Sequence, residues 1–138
     1  MCDNMQVLIC GDRNWARVDV IRAYVETLLR DTIIIEGNAR GADKIAGAVA
    51  KELGMRVRVF PAEWDRYGKG AGPIRNKQML DEKPDLVVAF HDDIEHSIGT
   101  KNCITQAKKM GIPFEVRTSM EYDESQYLAD ERVGLKEG

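Results

Sequence analysis

The chain has 138 residues, 43% hydrophobic and 31% charged, which bounds it to one globular domain with a proper core. Its net charge is −3. The tail at 117–138 holds six acids against three bases and the first 116 residues balance at 17 of each, which excludes the broad basic face of a general nucleic-acid-binding domain but leaves room for a local anion site. Three cysteines (Cys2, Cys10, Cys103) with no CxxC pair, and only His91 and His96 beside them, make a disulfide framework or a metal centre unexpected.

In chain order, Gln6, Val7, Leu8, Ile9 and Cys10 form a continuous apolar run stopped by Gly11, which predicts a first strand covered on both faces. Val18, Ile21, Val25, Leu28 and Leu29 then share one helical face. The β-branched run Ile33, Ile34, Ile35 predicts the second strand, ending at Glu36 in a glycine-bracketed turn. A second helix follows through Ala42, Ile45, Ala46, Val49 and Leu53, with Gly54 as its C′ residue. Residues 56–60 alternate and read as a third strand nearer an edge. Residues 62–72 form the longest loop of the body, with three glycines, Trp64 and Tyr67. Pro73 suits the first position of a third helix, which runs to about Glu82. Residues 85–90 read as the fourth strand, and 91–99 as a polar loop. Thr100 is placed as the N-cap of a helix carrying Cys103, Ile104, Ala107 and Met110; Gly111 ends it, and 112–116 form the fifth strand.

This alternation predicts an α/β fold: a Rossmann-like, doubly wound, parallel five-stranded sheet with helices on both faces. The domain is placed at 1–116, with 117–138 as an acidic C-terminal tail that either forms a short helix around 125–131 or stays loose. No stretch is long and apolar enough for a bilayer, and the first residues carry no secretory pattern, so a cytoplasmic protein without membrane attachment is expected.

Ligands of such sheets bind outside the carboxyl ends of the strands. Four loops emerge there: one with Gly11, Arg13 and Trp15; one with Glu36, Gly37, Arg40, Gly41 and Asp43; one with Trp64, Gly72, Arg75 and Asn76; one with Gly99, Thr100 and Lys101. Cations and helix N-termini suit a phosphate, an indole suits a base, and a carboxylate suits ribose hydroxyls. Each residue also has a plainer role. The glycine turn at 37–41 reads equally as a tight strand-to-helix connection. The two tryptophans read equally as caps on the sheet end. The arginines read as partners of Asp12, Glu36 and Asp43, and Cys10 and Cys103 as core thiols.

Taken together, Gly11-Asp12-Arg13-Asn14-Trp15, Gly37-Asn38-Ala39-Arg40-Gly41-Ala42-Asp43, Ala62-Glu63-Trp64, Gly70-Ala71-Gly72-Pro73-Ile74-Arg75-Asn76 and Gly99-Thr100 resemble the SLOG superfamily, in its YspA-related, YpsA-like branch, over about residues 5–116. The resemblance implies a Rossmann-like fold and a site for a nucleotide or nucleotide-derived ligand at the strand ends. Pairing into a homodimer is its other implication. Its better-known LOG relatives are phosphoribohydrolases with the signature PGGxGTxxE. Here Gly99 and Thr100 match the phosphate turn, and Cys103 stands at the position of the catalytic glutamate. A thiol is a poor acid or stabiliser of oxocarbenium charge.

The first expectation is therefore a binding module that senses or sequesters a nucleotide-type ligand. In it Gly37, Gly41, Gly99 and Thr100 offer backbone N–H groups, Arg40, Arg75 and Lys101 add charge, and Trp15 or Trp64 stacks the base. The alternatives are an N-glycosidic hydrolase of nucleoside phosphates, with Glu36 as its candidate catalytic residue, and a single-stranded DNA binder, which the balanced charge of the body disfavours. No other cofactor and no metal are expected.

Overall fold

The computed structural model describes residues 4–119. The chain begins with β1 (Gln6–Gly11), α1 (Val18–Val25), β2 (Ile33–Glu36), α2 (Ala42–Glu52) and β3 (Arg56–Val59). It continues with α3 (Trp64–Tyr67), a 3-10 turn at Gly68–Gly70, α4 (Ala71–Leu80), β4 (Leu86–Phe90), a second 3-10 turn at Ile94–His96, α5 (Gly99–Lys109) and β5 (Phe114–Arg117). The strands form one parallel sheet in the order β3-β2-β1-β4-β5. Chain order reverses between β1 and β4, as in a doubly wound sheet. The alternating strand β3 lies at one edge, as its pattern predicts.

The central strands are apolar throughout because both of their faces are covered. On one face Val7, Ile9, Ile34, Val88 and Phe90 pack with Val20, Ile21 and Val25 of α1 and Ala46, Val49 and Ala50 of α2. On the other, Leu8, Cys10, Ile35, Val87 and Ala89 pack with Met79 and Leu80 of α4 and Cys103 and Ala107 of α5. No helix among the described residues is long and apolar enough to cross a membrane.

Four boundaries differ from the sequence expectations. Helix α1 stops at Val25 and leaves Leu29 exposed. Its last turn tightens into i→i+3 bonds, from Thr27 N to Tyr24 O and from Leu28 N to Val25 O, and the Thr27 hydroxyl also donates to Tyr24 O at 2.6 Å. Helix α4 starts at Ala71, so Pro73 is its third residue, where a missing N–H costs nothing. Thr100 is inside α5 rather than at its cap. Ser97 Oγ takes that role, accepting from Thr100 N at 3.0 Å and Lys101 N at 3.2 Å. Strand β5 runs to Arg117, one residue into the region expected to be tail. The short helix expected around 125–131 lies outside the described residues.

Candidate functional site

The four loops meet at the carboxyl edge of the sheet and are tied to one another. Gly41 (φ 82°) passes so close to the first loop that a Cβ there would stand 2.3 Å from Asp12 O. Asp12 O accepts from Ala42 N at 3.1 Å and from Trp15 N at 3.0 Å, and Arg40 reaches Arg13 O and Asn14 Oδ1, both at 3.4 Å. Gly11 is equally crowded, since a Cβ would meet Phe90 O at 2.3 Å. From α4, Arg75 Nη1 donates to Gly37 O and Arg75 Nε to Asn76 Oδ1 at 3.0 Å. Asn76 Nδ2 in turn donates to Gly99 O at 3.2 Å and to Asn102 Oδ1 at 3.0 Å. Gln106 Nε2 closes the series on Asn102 Oδ1 and Pro73 O.

Beneath the turn after β2 lie two buried carboxylates, Glu36 and Asp43. Asp43 Oδ2 accepts from Gly37 N at 3.2 Å and Ala39 N at 3.3 Å, and Glu36 Oε1 accepts from Asn38 N at 2.5 Å. Burial raises the Glu36 carboxyl above the usual range. Burial lifts Asp43 to about 7, against the pull of Arg75 and with the help of the Glu36 charge. Glu36 fits only because α2 has a glycine opposite it: a Cβ on Gly47 would lie 2.7 Å from Glu36 Oε2.

These contacts revise several sequence expectations. The consecutive N–H groups of Gly37, Asn38 and Ala39 point inward to Asp43 and Glu36, so Gly37 does not present its amide to a ligand. Thr100 is buried, and its N–H belongs to Ser97 Oγ. Trp15 is only 6% exposed; it packs edge-on against Phe90 with ring centroids 5.7 Å apart, and its Nε1 donates to Arg17 O. It is a core residue and offers no face to a base. Arg75 is turned under the rim rather than out from it, and Lys101 is paired with Glu95 at 3.0 Å. Cys103 is 1% exposed and hydrogen-bonded to Cys10, whose thiol that bond and burial push up, so it is placed as a core thiol with no acid–base access to the rim.

Arg13 and Arg40 are exposed, with Arg40 reaching the Arg13 carbonyl, and Trp64 is 59% exposed. Gly72 lies against the indole edge, its Cβ position 3.6 Å from Trp64 Cη2, and so connects Trp64 to the helix that carries Arg75. A shallow depression of about 340 Å³ is lined by Ala62, Glu63, Trp64, Asp65 and Arg66. Gly47, Ser97 and Asn102 were missed by reading the sequence; only Gly47 left a signal there, as a glycine inside a helical pattern. Among the described residues no group of three or more His, Cys, Asp or Glu is arranged to hold a metal ion.

Residues 5–67 match a family model described as the YspA, cpYpsA-related SLOG family. The match takes in the 37–43 turn and Trp64, and stops short of Arg75, Asn76 and Gly99. The chain is 38% identical over 119 residues to the Gene 61 protein of Mycobacterium phage D29, covering 78% of this chain and 92% of that protein. It is also similar to the DNA processing protein A (DprA) from Streptococcus pneumoniae, with a TM-score of 0.48 and 15% identity over 81% of this chain; it spans 58% of that chain.

Proposed function

The chain belongs to the YspA, cpYpsA-related SLOG family, and we propose that it binds a nucleotide or nucleotide-derived ligand at the carboxyl edge of its sheet. One observation carries this: an exposed indole and two exposed arginines belong to loops that are tied to the same glycine turn. Trp64 is joined to that turn through Gly72 and Arg75, and Arg40 lies within it, bonded to Arg13 O. An aromatic face for a base and a forked cation pair for phosphate are the two chemistries a nucleotide needs. Phosphate is held here chiefly by side chains, because the amides of Gly37, Asn38 and Ala39 are taken.

The test is a thermal-shift screen of the full chain against nucleoside monophosphates, cyclic dinucleotides and ADP-ribose, with a short single-stranded oligonucleotide as a further arm. At least one mononucleotide-sized ligand should raise the melting temperature, and at 100 times its Kd the gain is about 2.7 kcal/mol. Trp64→Ala should fold normally and lose most of that gain. A panel without any shift, or a shift equal in Trp64→Ala, overturns the assignment. A response to the oligonucleotide alone would replace it with strand binding.

A further inference from the structure

Asp43 and Glu36 share the inside of one three-residue turn. Asp43 holds the amides of Gly37 and Ala39, and Glu36 holds that of Asn38 between them. Both carboxylates are 4% exposed, so water barely screens them. The charged and titratable groups that face them come from four elements. Glu36 itself stands at the end of β2, Arg75 comes from α4, and the Cys10 thiol of β1 feels the Asp43 charge. Lys44 and Lys51 of α2 face Glu36. Arg75 directs its hydrogen bonds to Gly37 O and Asn76 Oδ1 rather than to either acid. The shape of the turn therefore depends on what two buried acids accept.

We propose that the 37–39 turn is a proton-operated latch, held tight by ionised Asp43 and slackened when Asp43 takes up a proton. Hydrogen bonds to an ionised carboxylate are roughly twice as strong as those to a neutral acceptor. Both amides meet the same oxygen, Asp43 Oδ2, so protonation of the carboxyl removes the charge that holds the two of them at once. The change falls near neutrality because burial brings Asp43 to about 7. The turn carries Arg40 at one end, bonded to Arg13 O, and Gly37 O at the other, bonded to Arg75. Slackening it thus shifts the rim cations relative to α4. That consequence for anion affinity rests on the function proposed above; the latch itself does not.

The experiment needs no ligand. Amide proton shifts of Gly37 and Ala39 are followed by NMR in the full chain between pH 5.5 and 8.5. Both should move downfield together as pH rises, with one midpoint near 7, and Asp43→Asn should abolish the movement. A titration carried instead by the histidines of the β4–α5 loop would persist in that variant and overturn the latch. So would amide shifts that stay flat across the range. If Asp43→Asn does not fold, the side-chain carboxyl carbon of Asp43 is titrated in the unsubstituted chain. A midpoint near 7 there supports the latch, and one below 5 sinks it. Either outcome is independent of whether a nucleotide binds.

Discussion

Arg75 Nη1 donates to the carbonyl of Gly37, 38 positions earlier in the chain, at 2.5 Å, and so fastens α4 to the turn after β2. The same guanidinium holds Asn76 Oδ1 through Nε at 3.0 Å. Two acceptors at fixed directions require a fork, which arginine has and lysine lacks. Arg75→Ala should lower stability by about 2 kcal/mol, the combined effect of two part-buried hydrogen bonds from a charged donor. Arg75→Lys should recover less than half of that. Urea denaturation measures both, and a lysine variant as stable as the unsubstituted chain would show that charge alone suffices.

Gly37 and Arg75 should also be energetically coupled. A Cβ on Gly37 would fall 2.5 Å from Arg75 Nη1 and 2.9 Å from its Cδ and Cζ. Gly37→Ala must therefore push the guanidinium out of place, at a cost of about 1–3 kcal/mol. In an Arg75→Ala background the obstruction is gone, and the same change should cost under about 0.5 kcal/mol. The double-mutant cycle should give a coupling of about 1–2 kcal/mol. Additive effects would mean that the two residues do not touch.

Gly47 poses a contest between two known magnitudes. Within a helix, replacing glycine by alanine gains up to about 1 kcal/mol. Here the new methyl would stand 2.7 Å from the buried Glu36 Oε2, whose own position is fixed by its bond to Asn38 N. Displacing a buried carboxylate from its donor costs about 1–3 kcal/mol, so the clash should win. Gly47→Ala is expected to melt lower than the unsubstituted chain by thermal denaturation, against the usual trend for helix glycines.

The fold was legible because its signals are local. Apolar β-branched runs at Ile33 and Val87, helical periodicity from Ala42 to Leu53, and glycines at 54 and 111 each depend on neighbours in sequence. The five parallel strands and the edge position of β3 follow from them. The site was legible only in part. Side-chain direction is decided by what lies across the sheet, and that is not written in spacing. Trp15 points inward because Phe90 of β4 offers it a ring to pack on. Arg75 points under the rim because Gly37 lies across from α4. The amides of the 37–39 turn are taken by Asp43 and Glu36, which a strand–turn–helix pattern cannot distinguish from amides awaiting a phosphate.

The buried Asp43 also makes a prediction for stability against pH. Its folded carboxyl lies at about 7, above the 3.8 of a freely solvated aspartate. Between these values the folded state binds more protons than the unfolded state, so stability from this group falls as pH rises. The contribution is fully present below about 4 and is lost by pH 8, a change of about 4 kcal/mol at most. An asparagine keeps an acceptor for Gly37 N and Ala39 N but carries no charge. Asp43→Asn should thus match the unsubstituted chain near pH 4.5 and exceed it by a few kcal/mol at pH 8. Denaturation series at the two pH values check this, and a variant less stable at pH 8 than the unsubstituted chain would reverse the sign.

Arg40 should separate binding from folding. It is exposed, and its bonds to Arg13 O and Asn14 Oδ1 are long at 3.4 Å, so Arg40→Ala should change stability by under about 0.5 kcal/mol. Facing a ligand phosphate, the same guanidinium would make a forked, charge-assisted contact worth about 1.5–3 kcal/mol. For the nucleotide with the largest thermal shift, calorimetry should therefore show a loss of affinity of about 10- to 100-fold in Arg40→Ala, while the melting temperature without ligand stays unchanged. Screening sharpens the comparison: raising the salt concentration should weaken binding to the unsubstituted chain more than to the variant, because the variant has already lost one ionic contact. Equal affinity with equal salt dependence in the two proteins would remove Arg40 from the site, and with it the cation pair on which phosphate recognition at this rim depends.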